Sequence, residues 1–151
     1  MTANRVVITD VGPRDGLQNQ PKILTIEQRL ALVQAIADAG VPQIEVGSFV
    51  SPKAVPAMAG TDQVFASLEK AQFATPTIAL IPNMKGYELA RAAGAKTVTM
   101  VLYASDGMAQ KNASMTCIPY VESILSLIKK VVTPVFISPF IKHQLIGAAP
   151  L

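Results

Sequence analysis

Arg14, Asp15 and Glu45 are the residues whose types and surroundings could support chemistry. Arg14 and Asp15 are adjacent in "VGPRDGLQNQ" (11 to 20), bracketed by Gly12 and Gly16 and placed directly after the apolar run "RVVIT". Glycines on either side allow a sharp turn that presents a carboxylate and a guanidinium together. An exposed carboxylate at the end of a strand suits a hard divalent cation such as Mg2+ or Mn2+. The neighbouring guanidinium suits negative charge developing on a substrate oxygen. Glu45 sits in the apolar context "QIEV", where a carboxylate is costly unless paired. Two plainer arrangements satisfy the same residues: an Asx-type turn with a solvated arginine, or a buried structural ion pair between Glu45 and Arg14.

The elements that would position these residues alternate. "RVVITDV" (5 to 11) reads as a buried strand ended by Gly12-Pro13. Thr25 with Gln28 forms a capping-box pattern, Ile26, Leu30, Val33 and Ala37 follow at helical spacing, and Gly40 stands at the helix end. "QIEVGSF" (43 to 49) is the second strand, and 61 to 71 a helix with Val64, Leu68 and Ala71 on one face. "TPTIALIP" (75 to 82) is the third strand, 84 to 93 a helix closed by Gly94, and "KTVTMVLYA" (96 to 104) the fourth strand. A helix over 120 to 130 and a strand-like run over 134 to 141 would follow. Buried strands alternating with helices specify an α/β fold with a parallel sheet and right-handed crossovers. A (β/α)8 barrel and an open doubly wound sheet both fit. Arg14, Asp15, Glu45, Ser48, Asn83, Ser105 and Asp106 all fall at or near the carboxyl ends of strands, the face on which such folds build sites.

Composition excludes several classes. With 151 residues, half of them apolar and 15% charged, the chain can bury a core. The net charge of +3 is spread thinly, with no basic cluster longer than Lys129-Lys130, so nucleic acid is not an expected partner. The single cysteine, Cys117, excludes an internal disulfide and fits a reducing compartment. "VVTPVFISPFI" (131 to 141) is too short to span a bilayer and carries two prolines, so no membrane association is expected. "MTANRVVITDV" lacks the apolar centre of a signal peptide, and a cytoplasmic location is the expectation.

Four blocks occur in order: "VGPRDGLQNQ", "IEVGSFVSPKAVPAMAG", "PNMKGYELARAAGAK" and "KNASMT". Together they resemble the 3-hydroxy-3-methylglutaryl-CoA lyase family, within the metal-dependent acyl-CoA lyase and synthase superfamily built on (β/α)8 barrels. The resemblance covers roughly residues 5 to 116. It implies the N-terminal half of a barrel over residues 1 to 116, with four to five βα units, and a divergent tail over 117 to 151 that carries no family motif. It also implies an acyl-CoA substrate and a retro-Claisen cleavage to acetyl-CoA and acetoacetate, dependent on Mg2+ or Mn2+. By the same resemblance Asp15 is a metal ligand, Arg14 stabilises the enolate oxygen and Glu45 is an active-site residue. Gln18 and Ser48 are candidate substrate contacts or, equally, turn and strand-end hydrogen bonders. Asn112, beside Lys111 in "KN", falls on an expected loop that is either a substrate contact near the CoA entrance or simply solvated. The family's later ligands, a His-x-His pair and an asparagine, and its catalytic cysteine in a glycine-rich loop have no counterpart in this sequence. His143 stands alone and Cys117 lies outside any glycine-rich loop. Half a barrel leaves sheet edges open, so self-association or pairing with a complementary barrel half is expected, and the chain alone is expected to be inactive. A related lyase or aldolase with another acyl substrate, and a non-catalytic fragment, are the alternatives.

Overall fold

A computed structural model describes residues 6–103, 105–130 and 135–138. The strands are β1 (Thr9–Asp10), β2 (Gln43–Ser48), β3 (Thr77–Leu80), β4 (Val98–Val101) and β5 (Val135–Ser138). The helices are α1 (Ile26–Asp38), α2 (Thr61–Lys70), α3 (Met84–Ala92), α4 (Asp106–Ala113) and α5 (Cys117–Lys130). The five strands form one sheet in the order β1-β2-β3-β4-β5, and every neighbouring pair is parallel. A doubly wound sheet reverses its strand order at a switch point. Strictly sequential order removes that alternative and leaves the N-terminal half of a (β/α)8 barrel.

Local chemistry sets the helix ends. Thr25 Oγ1 accepts a hydrogen bond from Gln28 N (3.2 Å), while Gln28 Oε1 accepts one from Thr25 N (3.0 Å). This reciprocal capping box stabilises the start of α1 by about 1 kcal/mol. Asn83 Oδ1 accepts from Gly86 N at 3.0 Å, so this polar residue at the end of β3 serves as the cap of α3. Gly40 and Gly94 follow α1 and α3 with φ of 81° and 89°, a left-handed conformation that side chains disfavour. Val33, Ile44, Val46, Val64, Ala79 and Ile81 form the heart of the core between the sheet and its helices. Among the described residues, no helix is long and apolar enough to cross a membrane.

Three expectations differ from the structure. The first strand pairs only at Thr9 and Asp10, opposite Gln43 and Ile44. β2 begins at Gln43 and offers no earlier partner, so Val6, Val7 and Ile8 are 81%, 59% and 68% exposed. Their apolar run reads as burial but lies on an open edge. The stretch after β4 contains α4, which places Lys111 and Asn112 on a helix; "DGMAQKNA" has too few apolar residues to show a helical period. Ala71 is exposed just past the end of α2, whereas Val64, Phe65 and Leu68 are buried. Residue 5 of the first expected strand, residue 104 of the fourth, and residues 134 and 139 to 141 of the last lie outside the described residues.

Candidate active site

β1 leads into a single π-helical turn, Gly12–Gly16, which carries Pro13, Arg14 and Asp15. Asp10 Oδ1 accepts a hydrogen bond from Gly12 N at 2.8 Å. The amides of Arg14 and Asp15 both donate to Val11 O, at 3.1 and 2.7 Å. Neither Gly12 nor Gly16 has a positive φ. The turn is therefore built by converging hydrogen bonds, and not by the left-handed freedom of glycine. Wide helical turns of this kind recur at functional sites.

Arg14 and Glu45 are 8% and 5% exposed. Arg14 Nε donates to Glu45 Oε1, and Arg14 Nη1 donates to Asp15 Oδ1 at 2.6 Å. One guanidinium thus holds two carboxylates, one from the β1 turn and one from the middle of β2. Burial raises the Glu45 pKa above the ordinary carboxylate value; the charge and hydrogen bond of Arg14 oppose this, and the charge of Asp15 adds to it. The Asp15 side chain is about half exposed, with only Oδ1 engaged by a described partner. The buried ion pair weighed from the sequence is present, and the solvated-arginine turn is not.

Arg14 also walls a cavity of about 570 Å³, shared with Gln18, Val55, Asn83, Tyr103 and Lys111. These come from the β1 turn, the loop after β2, the end of β3, the segment after β4, and α4. They converge at the carboxyl ends of the strands, where barrel enzymes place their sites. Ser48 closes β2; its hydroxyl is buried with no hydrogen-bond partner among the described residues, and it does not line the cavity. The side chain of Asn112, and His143 entirely, lie outside the described residues. A larger cavity, about 700 Å³, lies at the amino ends of β3 and β4 beside Pro76, Thr77, Lys96 and Thr97. It is remote from the charged cluster and on the face that barrels use for stability.

Sequence reasoning missed two tyrosines. Tyr103 and Tyr120 line the cavity with ring centroids 5.2 Å apart, and Tyr120 Oη donates to Val101 O at 2.7 Å. Burial, with a smaller contribution from Tyr103, pushes the Tyr120 phenol up to about 12. Burial also raises Tyr103, against the opposing positive charge of Arg14. The available signal was the position of Tyr103 just past β4. Cys117 is tied into the scaffold: its amide donates to Asp106 Oδ1 (2.7 Å) and its thiol to Tyr103 O (3.0 Å).

A profile of the family described as HMGL-like matches residues 5–140. The chain belongs to the HMGL-like family. It is 48% identical over 120 residues to a (R)-citramalyl-CoA lyase of Chloroflexus aurantiacus, covering 74% of this chain and 38% of that protein. It is 44% identical over 108 residues to a 3-hydroxy-3-isohexenylglutaryl-CoA/hydroxymethylglutaryl-CoA lyase of Pseudomonas aeruginosa, covering 72% and 36%. The crystal structure of hydroxymethylglutaryl-CoA lyase from Pseudomonas aeruginosa superposes with a TM-score of 0.75 at 38% identity, over 83% of this chain and 42% of that one. An HMG-CoA lyase from Acinetobacter baumannii, in complex with coenzyme A and 3-methylmalate, superposes with a TM-score of 0.79 at 31% identity, over 89% and 45%. The HMGL-like chain therefore spans less than half the length of these relatives, all of which are named as lyases of CoA thioesters.

Proposed function

We propose that this chain is the amino-terminal half of a divalent-metal-dependent lyase that cleaves 3-hydroxy-3-methylglutaryl-CoA to acetyl-CoA and acetoacetate. The observation that carries the reading is the Arg14 fork, gripping Glu45 and Asp15 at the mouth of a strand-end cavity. In the cleavage, the tertiary hydroxyl loses its proton and the carbon–carbon bond breaks toward the thioester. The electron pair goes to the thioester oxygen as an enolate, which is then protonated to acetyl-CoA. Nε and one hydrogen of Nη1 are held by the two carboxylates, which leaves the remaining N–H groups of Arg14, those of Nη2 foremost, as the donors for that oxygen. Glu45 keeps the guanidinium oriented. Gln18, on the cavity wall, and Ser48 and Asn112 are the proposed substrate contacts.

Asp15 fits a Mg2+ or Mn2+ ion as a single ligand, since its carboxylate is half exposed and only one oxygen is engaged. It does not make a complete site: among the described residues no group of three or more His, Cys, Asp or Glu side chains could hold a metal. Such an ion, when bound, supplies Lewis-acid polarisation of the substrate's hydroxyl and carboxylate oxygens. The chain alone is accordingly inactive, and soluble in the cytoplasm in this reading.

The test is consumption of 3-hydroxy-3-methylglutaryl-CoA with Mg2+, by the chain alone and by the chain completed with the carboxyl-terminal part of the Pseudomonas aeruginosa relative. No turnover is expected from the first and metal-dependent turnover from the second, abolished by Asp15→Asn. Turnover by the chain alone, or an active Asp15→Asn protein, would sink the corresponding part of the reading. The 48% identity to a (R)-citramalyl-CoA lyase favours a second reading, in which the acyl group differs; the ratio of rates on the two thioesters separates them. A non-catalytic fragment would give no turnover on either, completed or not. The exposed Val6–Ile8 edge supports self-association or pairing with a complementary barrel half. Size-exclusion chromatography should show dimers or larger species, and a sharp monomer peak with cooperative melting would contradict this.

A further inference from the structure

α1 carries a second buried arginine. Arg29 is 1% exposed, and no described carboxylate lies within ion-pair distance of it. Neutral acceptors hold its guanidinium. Nη1 donates to Ala59 O at 2.9 Å and Nη2 to Thr61 Oγ1 at 3.0 Å, with a longer approach to Val46 O at 3.5 Å. Thr61 is itself fixed, its hydroxyl donating to Met58 O at 2.8 Å. Arg29 Nε has no partner among the described residues. Burying a charge without a counter-charge is costly, which turns attention to what this group holds in place.

It meets two structures that bound the site. The first is β2 just beyond Glu45, where the register with β3 shifts between Glu45 and Gly47. A Cβ added to Gly47 would stand 2.7 Å from Arg29 Nη2 and 2.8 Å from the Thr61 side chain. The guanidinium thus occupies the space a side chain at position 47 would take. The second is the far end of the loop over residues 49–60, whose Val50, Ser51, Ala54 and Val55 wall the cavity.

We propose that Arg29 is a positioning residue. By filling the space over Gly47 and binding Ala59 and Thr61, it fixes the break in β2 that aims Glu45 at Arg14, and it seats the cavity loop. The inference rests on the reading that Arg14 and Glu45 are the working pair of the site. The physical reason is the period of a strand. A break re-aims the side chains that flank it, and losing it by one residue would send Glu45 to the opposite face of the sheet.

The test is nuclear magnetic resonance of the full 15N-labelled chain, with the Arg14 Nε–H signal as reporter, assigned by its loss in Arg14→Lys. Its hydrogen bond to buried Glu45 should slow its exchange with water. In Arg29→Met that exchange should accelerate by about tenfold or more, and the amides of Glu45–Ser48 should shift. Gly47→Ala, which displaces the guanidinium without changing any charge, should do the same. Arg29→Lys should restore the signal in part. Folded Arg29→Met or Gly47→Ala chains that keep the wild-type Arg14 Nε–H exchange and the wild-type Glu45–Ser48 amides would overturn the proposal. If neither variant folds, Thr61→Val, which removes one acceptor at nearly constant volume, decides by the same two signals. No turnover is read, so the outcome is independent of which thioester the completed enzyme cleaves.

Discussion

Arg14 and Arg29 are both buried beside β2, yet they are held in opposite ways. Arg14 sits between two carboxylates and walls a cavity. Arg29 has carbonyl and hydroxyl oxygens around it and no described carboxylate. An arginine held by carboxylates has a neutralised charge and a strongly directed fork. An arginine held by carbonyls keeps its charge and spends its donors tying backbone segments together. The first arrangement suits a group that must meet a substrate; the second suits a group that must not move.

Replacing each arginine by methionine tests this contrast. Arg14→Met leaves Glu45 buried without its partner and should cost about 3–5 kcal/mol at neutral pH, read by urea denaturation. That cost should shrink as pH falls and Glu45 takes up a proton. The same carboxylate gives the wild type a pH slope. Its folded pKa is raised, so the folded chain binds the proton more tightly. The stability that Glu45 contributes should therefore be greatest below the ordinary carboxylate range and be lost as pH rises from there toward the raised value, and Glu45→Gln should remove that component of the slope. Arg29→Met should cost less, about 2–3 kcal/mol from the acceptors left unsatisfied. With no carboxylate attached to Arg29 itself, that cost should vary less with pH than that of the Arg14 variant, and only as far as a loosened Arg14–Glu45 bond alters the Glu45 titration. An Arg29→Met cost that changes with pH as strongly as the Arg14→Met cost, or a pH-independent Arg14→Met, would break the comparison. Tyr120→Phe should have the smallest effect, about 1 kcal/mol for the hydrogen bond to Val101 O. Because the phenol is pushed up to about 12, the wild type should lose stability as pH rises from about 10 toward that value, and the variant should lose less, keeping only the share of the raised Tyr103.

Much of the scaffold was legible because its signals are local. Thr25 with Gln28, and the glycines at 40 and 94, act within one turn of the backbone, and each does in the structure what its spacing implies. The pairing of Arg14 with Glu45 was legible for a different reason: a carboxylate inside an apolar strand needs a partner, and the turn after the neighbouring strand offers one. Arg29 was not legible. An arginine on a helix ordinarily reads as a solvated face, and only the crowding at Gly47, 18 residues further along, betrays its burial. α4 escaped because its apolar residues are too sparse to mark a period. Strand β1 was overextended because hydropathy reports that a residue is apolar, not whether a neighbouring strand is there to cover it.

The shortness of β1 has a mechanical consequence. Two residues of strand join the first half of the charged cluster to the sheet, whereas β5 is registered to β4 over four. A force applied at the amino end would unzip β1 first and carry Arg14 away from Glu45 while the apolar interior stayed intact. The Arg14–Glu45 bond and the hydrogen bond from Thr9 to Gln43 are then rivets across a short seam. The cluster's lifetime would be that of the seam and not that of the domain.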